Sequence, residues 1–151
     1  MATRSIIGLK NKDGSIKTIY THFDGYPTGV GLQLFLNYRD LDTVKKLLKY
    51  GNRSSLTGVP SKKESYSGTE FEQAVTYDSF DSLWNDRIKN SDIEYFYIYQ
   101  FTDKGFAWVA YRVEYGSRTY ELVNGQYQVS GEKEYTKLGA IRAAVKYEAV
   151  A

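Results

Sequence analysis

Ile93-Glu94-Tyr95-Phe96-Tyr97-Ile98-Tyr99-Gln100-Phe101, then Thr102-Asp103-Lys104-Gly105, then Phe106-Ala107-Trp108-Val109-Ala110-Tyr111-Arg112-Val113-Glu114-Tyr115: this run sets the architecture of the chain. Two aromatic and β-branched segments flank a short turn containing glycine, the pattern of an antiparallel hairpin. Strand side chains alternate between faces, so Tyr95, Tyr97 and Tyr99 share one face while Phe96 and Ile98 share the other. In the second segment Tyr111, Val113 and Tyr115 alternate with Trp108, Ala110 and Arg112. Downstream, 119–123 and 126–129 flank Asn124-Gly125, a second hairpin signal. The chain then reads as helix over 134–149, with Tyr135, Leu138, Ile141 and Val145 directed inward. Gly139 weakens that helix by about 1 kcal/mol relative to alanine.

The N-terminal part reads in the same way. Residues 4–10 form a strand, Asp13-Gly14 a turn, and residues 15–22 a second strand. Ile16, Thr18, Tyr20 and His22 lie on one of its faces, and Lys17, Ile19 and Thr21 on the other. After Asp24-Gly25-Tyr26-Pro27 the period becomes helical, with Val30, Leu34 and Tyr38 four residues apart. A second helix spans 41–50, capped by Asp40 and ended by Gly51, with Leu41, Val44, Leu47 and Leu48 inward and lysines outward. Residues 51–68 are rich in Ser, Gly, Asn and Lys and read as a long loop, either functional or mobile. A short strand within 71–77 and a helix from Ser79, carrying Phe80, Leu83, Trp84 and Ile88, complete the pass. Hairpins separated by helices predict an α+β fold, an antiparallel aromatic-rich sheet packed against several helices. The length of 151 residues predicts one domain, 1–151.

Composition narrows the function. There is no cysteine, which removes thiol nucleophiles, thiolate zinc sites and disulfides, and suits a reducing cytoplasm. The net charge of +2, with acids and bases intermixed, is too weak a field for a nucleic-acid footprint. Clusters such as Lys45-Lys46 with Lys49, and Lys62-Lys63, read as solvated surface. No apolar run has the ~20 residues of a membrane span. Tyrosine is abundant, 15 residues, and joins an apolar body to a polar tip that suits recognition surfaces.

Chemistry concentrates in residues 19–31, Ile-Tyr-Thr-His-Phe-Asp-Gly-Tyr-Pro-Thr-Gly-Val-Gly, which hold the single histidine. His22 ends a strand, Asp24-Gly25 reverses the chain, and Pro27 presets φ for the helix. Gly29 and Gly31 leave the first helical turn bare, so its amide groups suit an incoming anion such as a phosphate. Tyr26 offers a ring to stack, His22 a proton or hydrogen bond, and Arg4 on the neighbouring strand a counter-charge. These residues, Arg4, His22, Asp24, Gly25, Tyr26, Gly29 and Gly31, are the candidate ligand site. The purely architectural reading is that Asp24 caps the helix, Gly25 takes positive φ and His22 bonds a backbone carbonyl. The stretch departs from the dinucleotide and P-loop fingerprints, since no Gly-Lys-Ser/Thr follows. No catalytic set, metal site or cofactor is expected: one histidine cannot build a two-histidine centre, and no His-Glu-x-x-His spacing occurs.

Thr3-Arg4-Ser5-Ile6, the Asp13-Gly14 turn and Ile19-Tyr20-x-His22-x-Asp24-Gly25-Tyr26-Pro27 resemble a group of small phage- and prophage-encoded proteins of no assigned function. The N-terminal segment carries the resemblance, and the later aromatic hairpin does so more loosely. It implies an accessory product of a bacterial virus acting in the host cytoplasm. Three functions then compete. The first is binding of a phosphate-bearing small ligand, such as a nucleotide immune signal, to counter host defence without catalysis. The second is inhibition of a host defence protein through a tyrosine-rich surface. The third is a small nucleotide hydrolase using His22. The reading favours binding over catalysis and expects no membrane and no nucleic acid as partner; a homo-oligomer stays open.

Overall fold

Ile6-Ile7-Gly8-Leu9 is an unbroken apolar run, the signature of a strand covered on both faces. In the computed structural model, which describes residues 3–60, 73–90, 93–115, 119–123, 126–130 and 133–140, this run is the interior strand β1 (Arg4–Lys10). β1 pairs antiparallel with β2 (Ile16–Thr21) across a turn in which Gly14 takes φ 91°. β3 (Val75–Tyr77) adds to the outer edge of β2. On its other side β1 pairs parallel with β4 (Ile93–Thr102), in the register Ile6↔Phe96 and Gly8↔Ile98. β4 turns at Gly105, φ 95°, into β5 (Gly105–Tyr115). β6 (Thr119–Val123) and β7 (Gln126–Ser130) form their own two-stranded ladder, and β8 (Lys133–Ala140) returns to pair with β5. The main sheet thus runs β3-β2-β1-β4-β5-β8. The fold is α+β as expected, and the sheet is mixed: among the described strand pairs only β1 with β4 is parallel, and an isolated parallel bridge joins Thr21 to Arg53.

That parallel pair needs a crossover, and the helices supply it. A single π-helical turn, Pro27–Gly31, with proline in its first turn, runs into α1 (Leu32–Asn37). The expected first helix therefore starts as a wider turn. α2 (Leu41–Lys49) begins where expected: the Asp40 carboxylate accepts hydrogen bonds from the Thr43 amide and hydroxyl, at 2.8 and 2.9 Å. It ends before Gly51, whose φ of 79° suits glycine alone. α3 (Phe80–Asn90) starts with the Ser79 hydroxyl accepting from the Ser82 amide.

The helices cover both faces of the sheet. On one face Ile7, Ile19, Tyr97 and Ala110 meet Val30, Leu34, Val44 and Leu47 from the π-turn, α1 and α2. On the other, Ile6, Ile16, Phe96 and Val109 meet Leu83 of α3, with Phe80 and Trp84 packed against them. Each such aliphatic side chain contributes about 1.5–3 kcal/mol when fully buried. Among the described residues no helix is long and apolar enough to cross a membrane.

One expectation needs correcting. The helix expected over 134–149 is strand up to residue 140, with 141–149 outside the described residues. A helix there would leave the long edge of β5 without a partner, whereas β8 completes its hydrogen bonds. The register shift between Ala110 and Tyr111 absorbs one extra residue of β8 as a bulge, which breaks the alternation that marks a strand. The 51–68 loop is anchored where it begins: Gly51, Asn52 and Arg53 are buried. The Arg53 amide donates to the Tyr20 carbonyl at 2.8 Å and the Asn52 side chain accepts from the Tyr20 amide. Residues 61–68 of that loop lie outside the described residues.

Candidate functional site

The turn after β2 is tightly closed on itself. Positive φ falls on Asp24, at 57°, and not on Gly25. Aspartate tolerates this conformation better than most residues. Gly25 serves close approach instead: its amide donates to the Thr3 carbonyl at 2.9 Å, and an added Cβ would lie 2.8 Å from that of Ser5. The Gly29 amide donates to the Tyr26 carbonyl and the Val30 amide to the Asp24 carbonyl, at 2.9 and 2.8 Å. Three amides that the sequence offers to an anion are therefore held by the backbone. Gly31 packs on the Tyr97 ring, where a Cβ would sit 3.1 Å from it. The Tyr97 hydroxyl donates to the Gly25 carbonyl at 2.7 Å and fastens the turn to the sheet.

The candidate residues separate into three places. Asp24, Tyr26 and Gly29 line a shallow hollow of about 190 Å³ with Thr28, Gln33 and Leu56. Its one charged residue among those described is Asp24, whose carboxylate accepts from the Tyr26 hydroxyl at 3.1 Å; a carboxylate at the mouth repels an anion. Gly25 and Gly31 are packing contacts beneath. His22 and Arg4 are half-buried at the end of the β1–β2 ladder and do not line the hollow. His22 Nδ1 lies 2.7 Å from the Tyr20 hydroxyl, its ring meets Phe23 edge-on at 4.5 Å, and its amide donates to the Arg53 carbonyl. Asp24 makes no side-chain cap on the π-turn. Among the described residues there is no group of three His, Asp or Glu side chains that could hold a metal ion.

Of the three β4 tyrosines, Tyr95 is half-buried and the other two are interior. Tyr97 and Tyr99 are buried beneath α1 and α2, and their hydroxyls bond backbone carbonyls rather than solvent. Tyr99 donates to Arg39, Tyr38 to Thr57, and the Trp108 indole to Tyr38, at 3.1, 2.7 and 2.8 Å. Burial, and then the nearby Asp40 charge, raise the Tyr99 hydroxyl above its ordinary pKa, so it stays a donor.

A larger groove opens at the far end of the same sheet face. It encloses about 660 Å³ and is lined by Leu9, Lys10, Asn11 and Lys12, by Leu41 and Lys45 of α2, and by Phe101 and Phe106 at the β4–β5 tip. Its lining joins apolar Leu9, Leu41, Phe101 and Phe106 to three exposed lysines, the only charged lining residues among those described. Two carboxylates adjacent in sequence to the lining have partners. Asp13 accepts from the Ser15 hydroxyl and amide, and Asp40 from Thr43, and these bonds hold both below the ordinary carboxylate range. Phe101 and Phe106 face each other across the ladder and remain 74% and 44% exposed. Sequence reasoning assigned these residues to surface and strand. The usable signal was a phenylalanine on each side of a four-residue turn, where polar residues are the rule.

Compared with family models, with curated proteins and with solved structures, the chain has no match.

Proposed function

We propose that this chain is a non-catalytic binding protein for a phosphate-bearing small ligand, seated in the lysine-edged groove rather than in the turn over residues 22–31. One observation carries this: Lys10 and Lys12 at the end of β1, and Lys45 on α2, border one largely apolar hollow that no carboxylate lines among the described residues. Lysine binds phosphate as a mobile point charge, and the hollow lies within the usual size of small-ligand sites. The turn offers the opposite, amides engaged by carbonyls and a carboxylate at the mouth. The resemblance to phage and prophage accessory proteins gives the context, sequestration of a host signal in the bacterial cytoplasm.

Titration calorimetry with inorganic pyrophosphate at low ionic strength tests the reading, because exposed charges are screened beyond about 10 Å at 0.1 M salt. Heat is expected from the wild type and from Asp24→Ala. A Lys10→Glu, Lys45→Glu double variant is expected to weaken binding by at least tenfold, about 1.4 kcal/mol. Silence from the folded wild type sinks the proposal. The rival reading, inhibition of a host defence protein, has the exposure of Phe101 in its favour. It predicts co-elution with a host protein that the same double variant abolishes, with no response to small phosphates. Hydrolysis by His22 has less support, since that imidazole is engaged with Tyr20 and is not part of the groove lining.

A further inference from the structure

We infer that the groove's ligand carries a planar aromatic ring beside its phosphate, which makes a nucleotide its chemical class; this rests on the phosphate reading of the same groove. An aromatic series climbs from the core to the groove. Trp108 meets Tyr99 at 5.0 Å, Tyr99 stacks on Phe106 at 5.3 Å with 11° between planes, and Phe106 meets Phe101 edge-on at 5.5 Å. Every ring below Phe101 is engaged by the next. Phe101 ends the series at the β4–β5 tip with three-quarters of its surface open, 74%, at the border of the hollow. A flat ring entering there extends the series by one member, and base–aromatic stacking tolerates any base because every base has a π-face. The lysines line the same groove from β1, its turn and α2, so one ligand meets both chemistries. A ring alone leaves the ammonium groups unused, and a bare phosphate leaves Phe101 in water.

The test compares ADP, GDP, CDP and UDP with inorganic pyrophosphate on wild type and on Phe101→Ala, with circular dichroism confirming the fold. Phe101 is exposed, so its truncation removes little packing. The nucleoside diphosphates are expected to bind wild type at least about tenfold more tightly than pyrophosphate. Phe101→Ala should bring them down to the level of pyrophosphate measured on the same variant. Equal binding of nucleotides and pyrophosphate to wild type overturns the ring assignment and leaves the phosphate reading standing. Nucleotide preference that survives Phe101→Ala overturns the role of this ring. Binding of neither class overturns both the inference and the reading beneath it.

Discussion

A Cβ on Gly29 would lie 2.3 Å from the Asp24 carbonyl oxygen, a contact that only backbone movement relieves. Gly29→Ala is therefore expected to destabilise by at least the ~1–3 kcal/mol typical of overpacking, read as a lower urea midpoint. An unchanged midpoint would show that the turn has slack. Tyr97→Phe removes the donor to the Gly25 carbonyl and leaves that buried acceptor unpaired, at an expected cost of about 1–3 kcal/mol. These residues stood out in the sequence for a chemical reason and matter for a mechanical one. Glycine, histidine and aspartate are shared by anion sites and tight turns, and only the partners of their amides separate the two. Asp40 is the converse case, legible at once because a cap depends on residues within one helical turn. Its carboxyl is depressed in the folded state, so its stabilisation is complete above the ordinary value of 3.8 and is lost as pH falls through the lower folded value. The melting-temperature advantage of wild type over Asp40→Ala should hold at pH 7 and vanish in that acid window. A gap independent of pH would contradict the assignment.

At the scale of elements, α2 and β8 show what sequence pattern can and cannot carry. α2 has a cap, a glycine stop and a four-residue apolar stripe, all local, and it forms where those signals place it. Leu47→Ala empties a fully buried position beneath it and should cost about 2–5 kcal/mol in denaturant unfolding. β8 has helical spacing of its apolar residues and becomes a strand because β5, far from it in sequence, presents an edge that needs pairing. Backbone chemical shifts over 133–140 are expected to be extended; helical shifts would refute the pairing. The same limit hid the role of β1. It reads as a strand ahead of the Asp13-Gly14 turn, while its parallel pairing with β4 is a long-range property signalled only by its unbroken apolar run.

At the scale of the whole molecule, that parallel pairing makes the groove. It sets the end of β1 beside the tip of β4–β5, and packing of α2 on the same face brings Lys45 over the gap. Lys10, Lys12, Lys45, Phe101 and Phe106 are scattered through the sequence, so no contiguous motif announces them. The histidine turn is contiguous and conspicuous, and it fastens the crossover to the sheet. Amide NMR during titration with pyrophosphate separates the two places directly. Shifts are expected to concentrate at residues 9–12, 41–45 and 101–106, saturating together, with the 24–31 turn unmoved. Saturating shifts in that turn, with the lysine-edged groove silent, would contradict the groove reading.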